Sequence, residues 1–357
     1  MPKNQTKSLT EQPVNWLSAT APSGDVVLSS RARLARNLKG HIFPSRATSQ
    51  TQETVFEKIS DTVDNYKGGD ADDEGHFTTW HMTDFSDIDR QILLERKYLS
   101  RELCNKGLEA GLSLANEKSI SILINEEDHF RIQILEPGLN LQKAWDELNP
   151  YIKYFDEKLS FAFDKQLGFL TSCPSNLGTA LRFSTMLQLP GLSMNDNLSS
   201  VIRGIGHLGF TVRGPFGEQS EPTGHILQLS NQATLGENED ELLQRVRRAV
   251  KQLVMAERKE RETLLKTEPE KLYDYVGRAY GTLKYAHYIS ATEAFKCLCA
   301  VRLGCYLNMF SNLQLNKVNN LIISSQTGHL CIKEENPISA ANIKKKRAQF
   351  IMEKLES

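Results

Sequence analysis

One stretch organises the chain: LTSCPSNLGTALRFSTM, which occupies residues 170–186. Its apolar start ends at Cys173, and Pro174 prevents a regular strand or helix from continuing there. A polar turn follows, and Arg182 lies nine positions after the thiol. A cysteine on a rigid turn, with serine hydroxyls on both sides and a cation nearby, can have its thiolate stabilised. The alternative is a buried structural cysteine beside a loop, which is the more common case for an isolated Cys-Pro pair. Whether Cys173 has a chemical role must therefore be judged from the rest of the chain.

Composition limits the class of protein. The 357 residues suffice for one large domain and a smaller one, and the formal net charge is −1. Such a neutral balance argues against broad binding to nucleic acid or to a membrane surface. Six cysteines are spread too thinly for a disulfide scaffold. The first twenty residues lack the apolar core of a secretory signal, and no apolar run approaches membrane-spanning length. We therefore expect a globular, cytoplasmic protein without nucleic-acid or membrane partners.

An arginine-rich segment follows a predicted short strand at residues 25–30. The sequence SSRARLARN at residues 29–37 carries three arginines, two and three positions apart. On a solvated helix such a run would be unremarkable, and this is its usual meaning. If the chain stays extended beyond the strand, Arg31 and Arg33 point to the same side. Two guanidinium forks that face one spot suit a polyphosphate.

The clearest secondary structure is a β-hairpin at residues 119–136. Apolar residues alternate along both of its arms, namely Ile120, Ile122 and Ile124 and then Phe130, Ile132 and Ile134. The connecting turn is NEEDH at residues 125–129, and Arg131 is expected on the strand face opposite the apolar residues. The segment is either an ordinary polar turn or a carboxylate presented at the edge of a site. Its spacing does not indicate a metal centre.

Periodic apolar residues predict helices at residues 51–66, 87–99 and 141–159. A literal G-x-G-x-x-G occurs at residues 204–209, but a polar segment precedes it and an alternating strand pattern follows it. A dinucleotide loop needs a strand before it and a helix after it, so we reject that interpretation. The chain also lacks the P-loop motif of many ATP-binding proteins.

A Gly-rich loop at residues 213–224 joins two predicted strands. Its glycines would let the backbone close over a ligand, and it carries Arg213, Glu218 and Glu221. A flexible hairpin loop is the alternative, although the length of the loop favours a function.

Composition also divides the chain into three parts. Residues 1–23 are a polar, loosely ordered lead-in, in which Trp16 and Leu17 could dock on the body of the protein. Residues 24–235 hold the predicted strands and the motifs described above. Residues 236–357 are helical in pattern.

The helical part contains two clusters that could suggest chemistry. Cys297, Cys299 and Cys305 lie in one apolar helix, where structural burial is favoured over metal binding. A basic run at residues 344–347 lies on the last helix, and we expect it to form a solvated face.

Four segments, in this order, resemble the ATP:guanido phosphotransferases, the family of creatine and arginine kinases: residues 29–37, 125–132, 173–179 and 213–224. The resemblance covers about residues 25–231 and rests on four independent motifs, which makes it specific. Phosphagen kinases of this family carry a sizeable helical domain before the first motif. This chain has a short lead-in there and a helical extension at the C-terminal end, in which it resembles the bacterial members that phosphorylate arginine residues of proteins.

The resemblance implies an α+β fold, in which an antiparallel sheet is flanked by helices and carries the site on one face, with a helical C-terminal domain. It implies a kinase that transfers the γ-phosphoryl group of ATP, with Mg²⁺, to arginine guanidinium groups of proteins. A small-molecule arginine kinase and a non-catalytic nucleotide-binding adaptor are the alternatives. The implied partners are arginine-containing protein substrates, a second copy in a homodimer, a zinc-binding activator protein and a Clp protease system.

The implied chemistry centres on one carboxylate and one thiol. A guanidinium group is a poor nucleophile because it stays protonated and delocalised. A carboxylate must orient it and accept a proton before a nitrogen can attack phosphorus. The resemblance gives this role to Glu127, with Glu218 or Glu221 as a second carboxylate clamp. It implies that Cys173, as a thiolate, holds the guanidinium electrostatically and without a covalent bond.

The implied nucleotide site is built on arginines. Those that match the family's phosphate-binding arginines are Arg31, Arg33, Arg131, Arg182 and Arg213. Their side-chain forks would replace the backbone cradle of a P-loop. The neighbouring positions complete the site, and they are Ser29, Ser30, Ala32, Phe183, Ser184, Thr185, Met186, Gly214, Pro215, Phe216, Gly217 and Glu218. Lys97 stands where the related proteins usually have a nucleotide-contacting histidine, and we include it in the site.

Overall fold

The computed structural model describes residues 2–67, 76–115, 119–215, 223–332 and 339–356. Its strands are β1 (Val27–Arg36), β2 (Phe77–His81), β3 (Gly111–Ala115), β4 (Ile120–Ile124), β5 (Phe130–Pro137), β6 (Phe163–Asp164), β7 (Gly168–Phe169), β8 (Leu181–Gln188), β9 (Phe210–Arg213) and β10 (Ile226–Asn231). Eight of them form one antiparallel sheet in the order β2-β3-β4-β5-β1-β8-β10-β9, and β6 pairs with β7 in a separate small hairpin.

Helices flank this sheet and make up the C-terminal part. They are α1 (Pro2–Glu11), α2 (Ser49–Asp64), α3 (Asp87–Glu95), α4 (Arg101–Cys104), α5 (Leu141–Lys158), α6 (Pro190–Met194), α7 (Leu198–His207), α8 (Glu239–Thr267), α9 (Pro269–Tyr285), α10 (Ala291–Tyr306), α11 (Leu315–Ser324), α12 (Thr327–Cys331) and α13 (Ala340–Glu356). The predicted α+β class, an antiparallel sheet with a helical C-terminal region, is confirmed. The first two glycines of the G-x-G-x-x-G segment lie within α7.

Strand β1 is central, and it extends further than the sequence predicts. The predicted strand ends at residue 30, whereas β1 continues through all three arginines to Arg36. It is paired on one side with β5 and on the other with β8, so ladder hydrogen bonds hold the polar half of the strand in the sheet. The pleat then places Ala32 and Leu34 in the core, while Arg31 and Arg33 project from the opposite face.

The helix-covered face of the sheet carries the larger core. Alternate residues of the central strands pack there against apolar stripes of α2, α5 and α8. Two of the predicted helices, at residues 51–66 and 141–159, correspond to α2 and α5, and the third, at residues 87–99, corresponds to the shorter α3. The hairpin arms β4 and β5 are buried on both faces, because the other face of the sheet is also covered in part.

A second core covers part of the opposite face. It joins Trp16 and Leu17 of the lead-in to Leu28 and Leu135 of the sheet and to side chains of α10, α11 and α13. The expectation of a loosely ordered lead-in is wrong, because Pro2–Glu11 forms α1 and the Trp16 indole donates a hydrogen bond to the Arg96 carbonyl oxygen over 3.0 Å. The docking of Trp16 and Leu17 occurs as expected, and the remaining area of this face is left open as a cleft.

Buried polar groups in the helical part are structural. Burial raises the pKa of Cys299 to about 12 and the pKa values of Cys297 and Cys305 to about 11, so these thiols are held in their neutral form.

The expectation of a solvated basic face at residues 344–347 is wrong for Arg347, which is 2% exposed. Its guanidinium donates to the carbonyl oxygens of Ser325 and Ile289, which a sequence pattern cannot reveal. No helix in the described ranges has the length and apolar character needed to cross a membrane.

Gly178, five residues after Cys173, packs tightly against the segment that follows β10. Its φ is +100°, and a Cβ atom there would lie 2.3 Å from the Thr234 carbonyl oxygen. Gly178→Ala should lower the free energy of unfolding by roughly 3 kcal/mol or more, because it adds a backbone clash to an unfavourable φ. Gly236→Ala is the matched control, since its φ is +91° but nothing lies within 4 Å of the added atom. That variant should lose only about 1 kcal/mol. Urea titrations measure the free energy of unfolding of both variants, and equal losses would show that the contact between Gly178 and Thr234 is not as close as described.

Candidate active site

The open part of the sheet face forms a cleft of about 650 Å³. This volume lies within the range of about 300–1,000 Å³ that is usual for small-molecule sites. The cleft brings together twelve of the predicted residues: Ser29, Arg31, Arg33, Lys97, Glu127, Arg131, Cys173, Arg182, Ser184, Met186, Arg213 and Pro215. They come from four strands, three loops and the segment just after α3, so the fold assembles residues that are far apart in the sequence.

Other predicted residues do not reach the cleft. Ala32 and Phe183 belong to the helix-side core, and the Ser30 hydroxyl donates to the Gly138 carbonyl oxygen over 2.7 Å. Thr185 pairs with Ser30 in the register of β1 and β8 and is buried with it. These four side chains alternate with the cleft-facing ones, so the strand pleat turns them away. Gly214 does not line the cleft. Phe216, Gly217, Glu218 and Glu221 lie outside the described residues.

Neighbouring strands set the arginines side by side. Arg33 of β1 is directly opposite Arg182 of β8, and Arg31 is opposite Ser184, whose hydroxyl accepts a hydrogen bond from Arg31 Nε over 3.2 Å. The surrounding protein, and next the charge of Arg182, lowers the pKa of Arg31 to about 10. The pKa of Arg33 is lowered well below its ordinary value, by enclosure and then by Arg131 and Arg31.

The Arg33 side chain has no hydrogen-bond or ion-pair partner within the part of the chain that the structure describes. A guanidinium group enclosed among like charges is unfavourable unless an anion neutralises it. The row of arginines is therefore suited to bind a ligand with several negative charges, such as a nucleoside triphosphate.

Two adjacent carboxylates have different environments. Glu126 is 2% exposed and bonded to Arg131 Nη1, whereas the Glu127 side chain is 42% exposed. Glu127 Oε2 lies 2.6 Å from Arg131 Nη2. Burial opposes the charge of Arg131, but Glu126 and Glu127 raise its pKa above the ordinary value. Glu126 thus neutralises the buried arginine, and Glu127 presents a carboxylate to the cleft. Sequence inspection did not assign Glu126 to the site.

Cys173 stands at the start of a tight turn beside Glu127. It precedes a 3₁₀ turn at Pro174–Asn176, and its Sγ atom lies 3.0 Å from the Ser175 hydroxyl oxygen. The thiol is free and partly exposed. The Ser172 hydroxyl donates to the Glu127 carbonyl oxygen over 2.7 Å, so the two loops that carry the carboxylate and the sulfur are bonded to each other.

A hydrogen-bond network behind these loops fixes their positions. Asp128 Oδ1 accepts hydrogen bonds of 2.7 Å from Asn37 Nδ2 and from the Ser172 amide, which links the end of β1, the hairpin turn and the Cys173 loop. The Asn37 amide oxygen accepts from the His129 backbone, and His129 Nδ1 accepts from the Leu38 amide. Burial lowers the pKa of His129 to about 4, so the neutral ring can accept that bond at neutral pH. Sequence analysis missed Asn37 and Asp128, although both lie within the recognised motifs.

Lys97 reaches the cleft from a strained backbone position. Its φ is +69°, which is unusual for a lysine, and its carbonyl oxygen accepts a hydrogen bond of 3.0 Å from Gln133 Nε2. Enclosure, and next the charges of Arg31 and Arg101, lowers the pKa of Lys97 to about 8. Lys97 therefore adds a titratable cation to the arginine row.

Comparison with known proteins identifies the family. The family model for ATP:guanido phosphotransferase, C-terminal catalytic domain, matches residues 55–260, and that for the protein-arginine kinase McsB C-terminal domain matches residues 269–357. A protein-arginine kinase of Brevibacillus brevis is 36% identical over 96% of this chain and 95% of its own. A protein-arginine kinase of Desulforamulus reducens is 38% identical over the same shares.

Solved structures agree on the fold. A lombricine kinase matches with a TM-score of 0.59 and 23% identity over 70% of each chain. The substrate-free duplicated taurocyamine kinase from Schistosoma mansoni matches with a TM-score of 0.59 and 26% identity, over 82% of this chain and 44% of that one. The chain belongs to the ATP:guanido phosphotransferase family. Within that family it groups with the protein-arginine kinases, which confirms the predicted family and the predicted class of enzyme.

Asp128 is expected to act as a positioning residue. Asp128→Ala removes the acceptor that ties the Cys173 loop to the hairpin turn, so kcat should fall by about 10- to 100-fold. The KM for ATP should change little, because the arginine row does not depend on this network. Asp164→Ala is the control, since Asp164 Oδ1 also accepts two backbone amide bonds, from Gln166 and Leu167, in the exposed hairpin nearby. Steady-state kinetics of both variants measure the difference, and equal kcat values for Asp128→Ala and the wild type would contradict this role.

The lowered pKa of Lys97 predicts that ATP binding depends on pH. Its charge is present below its pKa of about 8 and is lost as the pH rises through that value. The KM for ATP should therefore rise by roughly 3- to 10-fold between about pH 7 and about pH 9. Lys97→Arg keeps the charge over this range and should abolish most of the rise. A wild-type KM that stays constant over the range would show that Lys97 does not contact the nucleotide.

Proposed function

We propose that this chain phosphorylates arginine residues of proteins with ATP as the donor, and that the carboxylate and the sulfur described above carry out the acceptor chemistry. The observation that carries the proposal is the hydrogen bond between the Ser172 hydroxyl and the Glu127 carbonyl oxygen, which holds Cys173 and Glu127 at one end of an arginine-lined cleft. Family membership supplies the reaction class, and the geometry supports the assignment of roles.

In the proposed reaction the substrate guanidinium lies between Glu127 and Cys173. Glu127 accepts a proton from one guanidinium nitrogen, and Arg131 keeps the carboxylate in place. The freed nitrogen lone pair forms a bond to the γ-phosphorus as the bond from that phosphorus to the β,γ-bridging oxygen breaks, which yields phosphoarginine and ADP. Cys173 as a thiolate stabilises the positive charge that develops on the guanidino group as its nitrogen bonds to phosphorus. Arg31, Arg33 and Arg182 stabilise the negative charge on the phosphoryl group in flight.

Magnesium enters this proposal as a companion of the nucleotide. Among the described residues no group of three carboxylate, histidine or cysteine side chains is placed to hold a metal ion. Magnesium commonly binds substrate phosphates with few protein ligands, so a cleft lined by cations is compatible with Mg-ATP. When bound, the ion would add positive charge at the β- and γ-phosphates.

The Gly-rich loop is proposed to supply the second carboxylate, Glu218 or Glu221. Arg213, at the end of β9, and Pro215, the last described residue before position 223, both line the cleft. The loop therefore leaves the sheet beside the arginines, where a carboxylate could clamp the acceptor guanidinium together with Glu127.

Further proposals concern the setting of the enzyme. We propose a catalytic unit at residues 24–235, a lead-in at 1–23 and a helical unit at 236–357. The six free thiols suit a reducing compartment, which supports a cytoplasmic location. A homodimer, a zinc-binding activator protein and a Clp protease system are proposed by family resemblance alone.

The mechanism predicts a selective loss of transfer. Glu127→Gln and Cys173→Ala should each lower the rate of protein-arginine phosphorylation by at least about 100-fold, because one removes the base and the other the counter-charge. Both variants should still bind ATP, since the arginines remain. Cys305→Ala, in α10 and outside the cleft, is the control and should retain activity. The assay is mass spectrometry of phosphoarginine under non-acidic conditions.

Free arginine, offered in parallel with an arginine-containing protein, separates the alternatives. Faster transfer to free arginine would favour a small-molecule arginine kinase. Tight ATP binding without transfer to either acceptor would indicate a nucleotide-binding adaptor. Full activity of both Glu127→Gln and Cys173→Ala would refute the proposed mechanism.

A further inference from the structure

The cleft continues past its arginines toward the start of β1. Successive cleft-facing positions on this strand are Arg33, Arg31 and Ser29. Their partners on β8 change from Arg182 to Met186. Each pair of residues advances the strand by about 7 Å, so the cleft-facing side chains of β1 and β8 change from cationic to neutral within roughly 14 Å of Arg33.

A bulge adds an apolar side chain at this neutral end. The register of β1 and β8 shifts between Val27 and Ser29. Bulges redirect side chains, and here Leu28 joins the second core and lines the cleft, whereas Val27 belongs to the helix-side core. The start of β1 therefore contributes an apolar floor.

The C-terminal helices form a wall beside this floor. Phe295 of α10 and Ile322 and Ile323 of α11 line the cleft, although they are only 7%, 2% and 7% exposed. Gln326, after α11, also lines it, and its Nε2 atom donates to the Ile322 carbonyl oxygen over 3.0 Å. A side-chain amide has two donors and an acceptor, so Gln326 offers polar groups within a largely apolar wall.

A buried carboxylate holds the wall against the sheet domain. Glu95, at the end of α3, accepts a hydrogen bond of 2.8 Å from the Gly328 amide, and its other oxygen lies 2.7 Å from His329 Nδ1. Glu95 also lines the cleft. The position of α11 and α12 is therefore tied directly to the cleft and not only to the second core.

We propose that these C-terminal helices form the wall against which the purine base of ATP packs, so that the C-terminal domain is itself part of the nucleotide site. This inference rests on the proposed kinase function, which brings ATP to the cleft. The triphosphate occupies the arginine end, where the guanidinium groups need an anion, so the base of the same molecule lies toward Leu28 and Ile322. A flat and largely apolar base gains affinity when it is buried against such side chains.

Inorganic tripolyphosphate provides the test, because it carries the charges of ATP without the base. Calorimetry would measure the Kd of both ligands for the full chain. Ile322→Ala should weaken ATP binding by about 10-fold and change tripolyphosphate binding by less than about 2-fold. Ile351→Ala is the matched control, because Ile351 belongs to the same second core but does not line the cleft. It should leave both affinities unchanged. Gln326→Ala removes a partly exposed side chain and should weaken the binding of ATP, but not of tripolyphosphate, by about 3-fold. This variant provides the measurement if Ile322→Ala fails to fold.

The outcomes separate this inference from the proposed function. Selective loss of ATP affinity in the cleft variants, with no loss in Ile351→Ala, supports the inference. If ATP and tripolyphosphate weaken by the same factor, or if Ile351→Ala matches Ile322→Ala, the inference is wrong while the kinase proposal stands. A wild-type chain that binds neither ligand would instead overturn the proposed function.

Discussion

The rest of the structure depends on the crowding of like charge on one face of a central strand pair. Arg33 and Arg182 are directly opposite on β1 and β8, and Arg31 is one step further along. Enclosure by the surrounding protein, and then the charges of the neighbouring arginines, lower the pKa values of Arg31 and Arg33, so the arrangement is tolerable only with compensating groups. Arg131 forms ion pairs with Glu126 and Glu127, whereas the Arg33 side chain forms no ion pair with any described residue and is only partly compensated by the charge of Glu126. The site is thus prepared for a polyanion, and its affinity for one comes from relief of repulsion as well as from direct bonds.

A strand with such a face is stable because its other face contributes apolar side chains to the core. Ala32 and Leu34 alternate with the arginines and lie in the core beneath α2, α5 and α8. The same alternation on β5 places Ile132 and Ile134 in that core and Arg131 in the cleft. The large helix-side core can offset the cost of enclosing charged groups on the opposite side, since the two faces share one set of ladder hydrogen bonds.

Local patterns predicted much of this arrangement, and non-local contacts account for the remainder. The alternation in β4 and β5 and the helical periods of α2 and α5 were readable, because side-chain period follows directly from backbone geometry. The motifs indicated which segments meet, but the pleat decided which residues within them face the cleft, and it turned Ser30 and Phe183 away. The burial of Arg347 and the link from Asp128 to Ser172 depend on partners distant in the chain, which no local period can specify.

The two ends of the cleft differ in a way that bears on the size of the acceptor. The neutral end is closed by the lead-in and by α10 and α11, whose lining residues are almost fully buried. The other end carries Glu127, whose side chain is 42% exposed, and the partly exposed Cys173. A nucleotide enclosed at the first end would present its terminal phosphate toward the second. There an arginine on the surface of another protein can approach with only its side chain entering the cleft. The open end is therefore compatible with a macromolecular acceptor, and the hydrogen-bonded loops behind it keep the reacting groups in fixed positions.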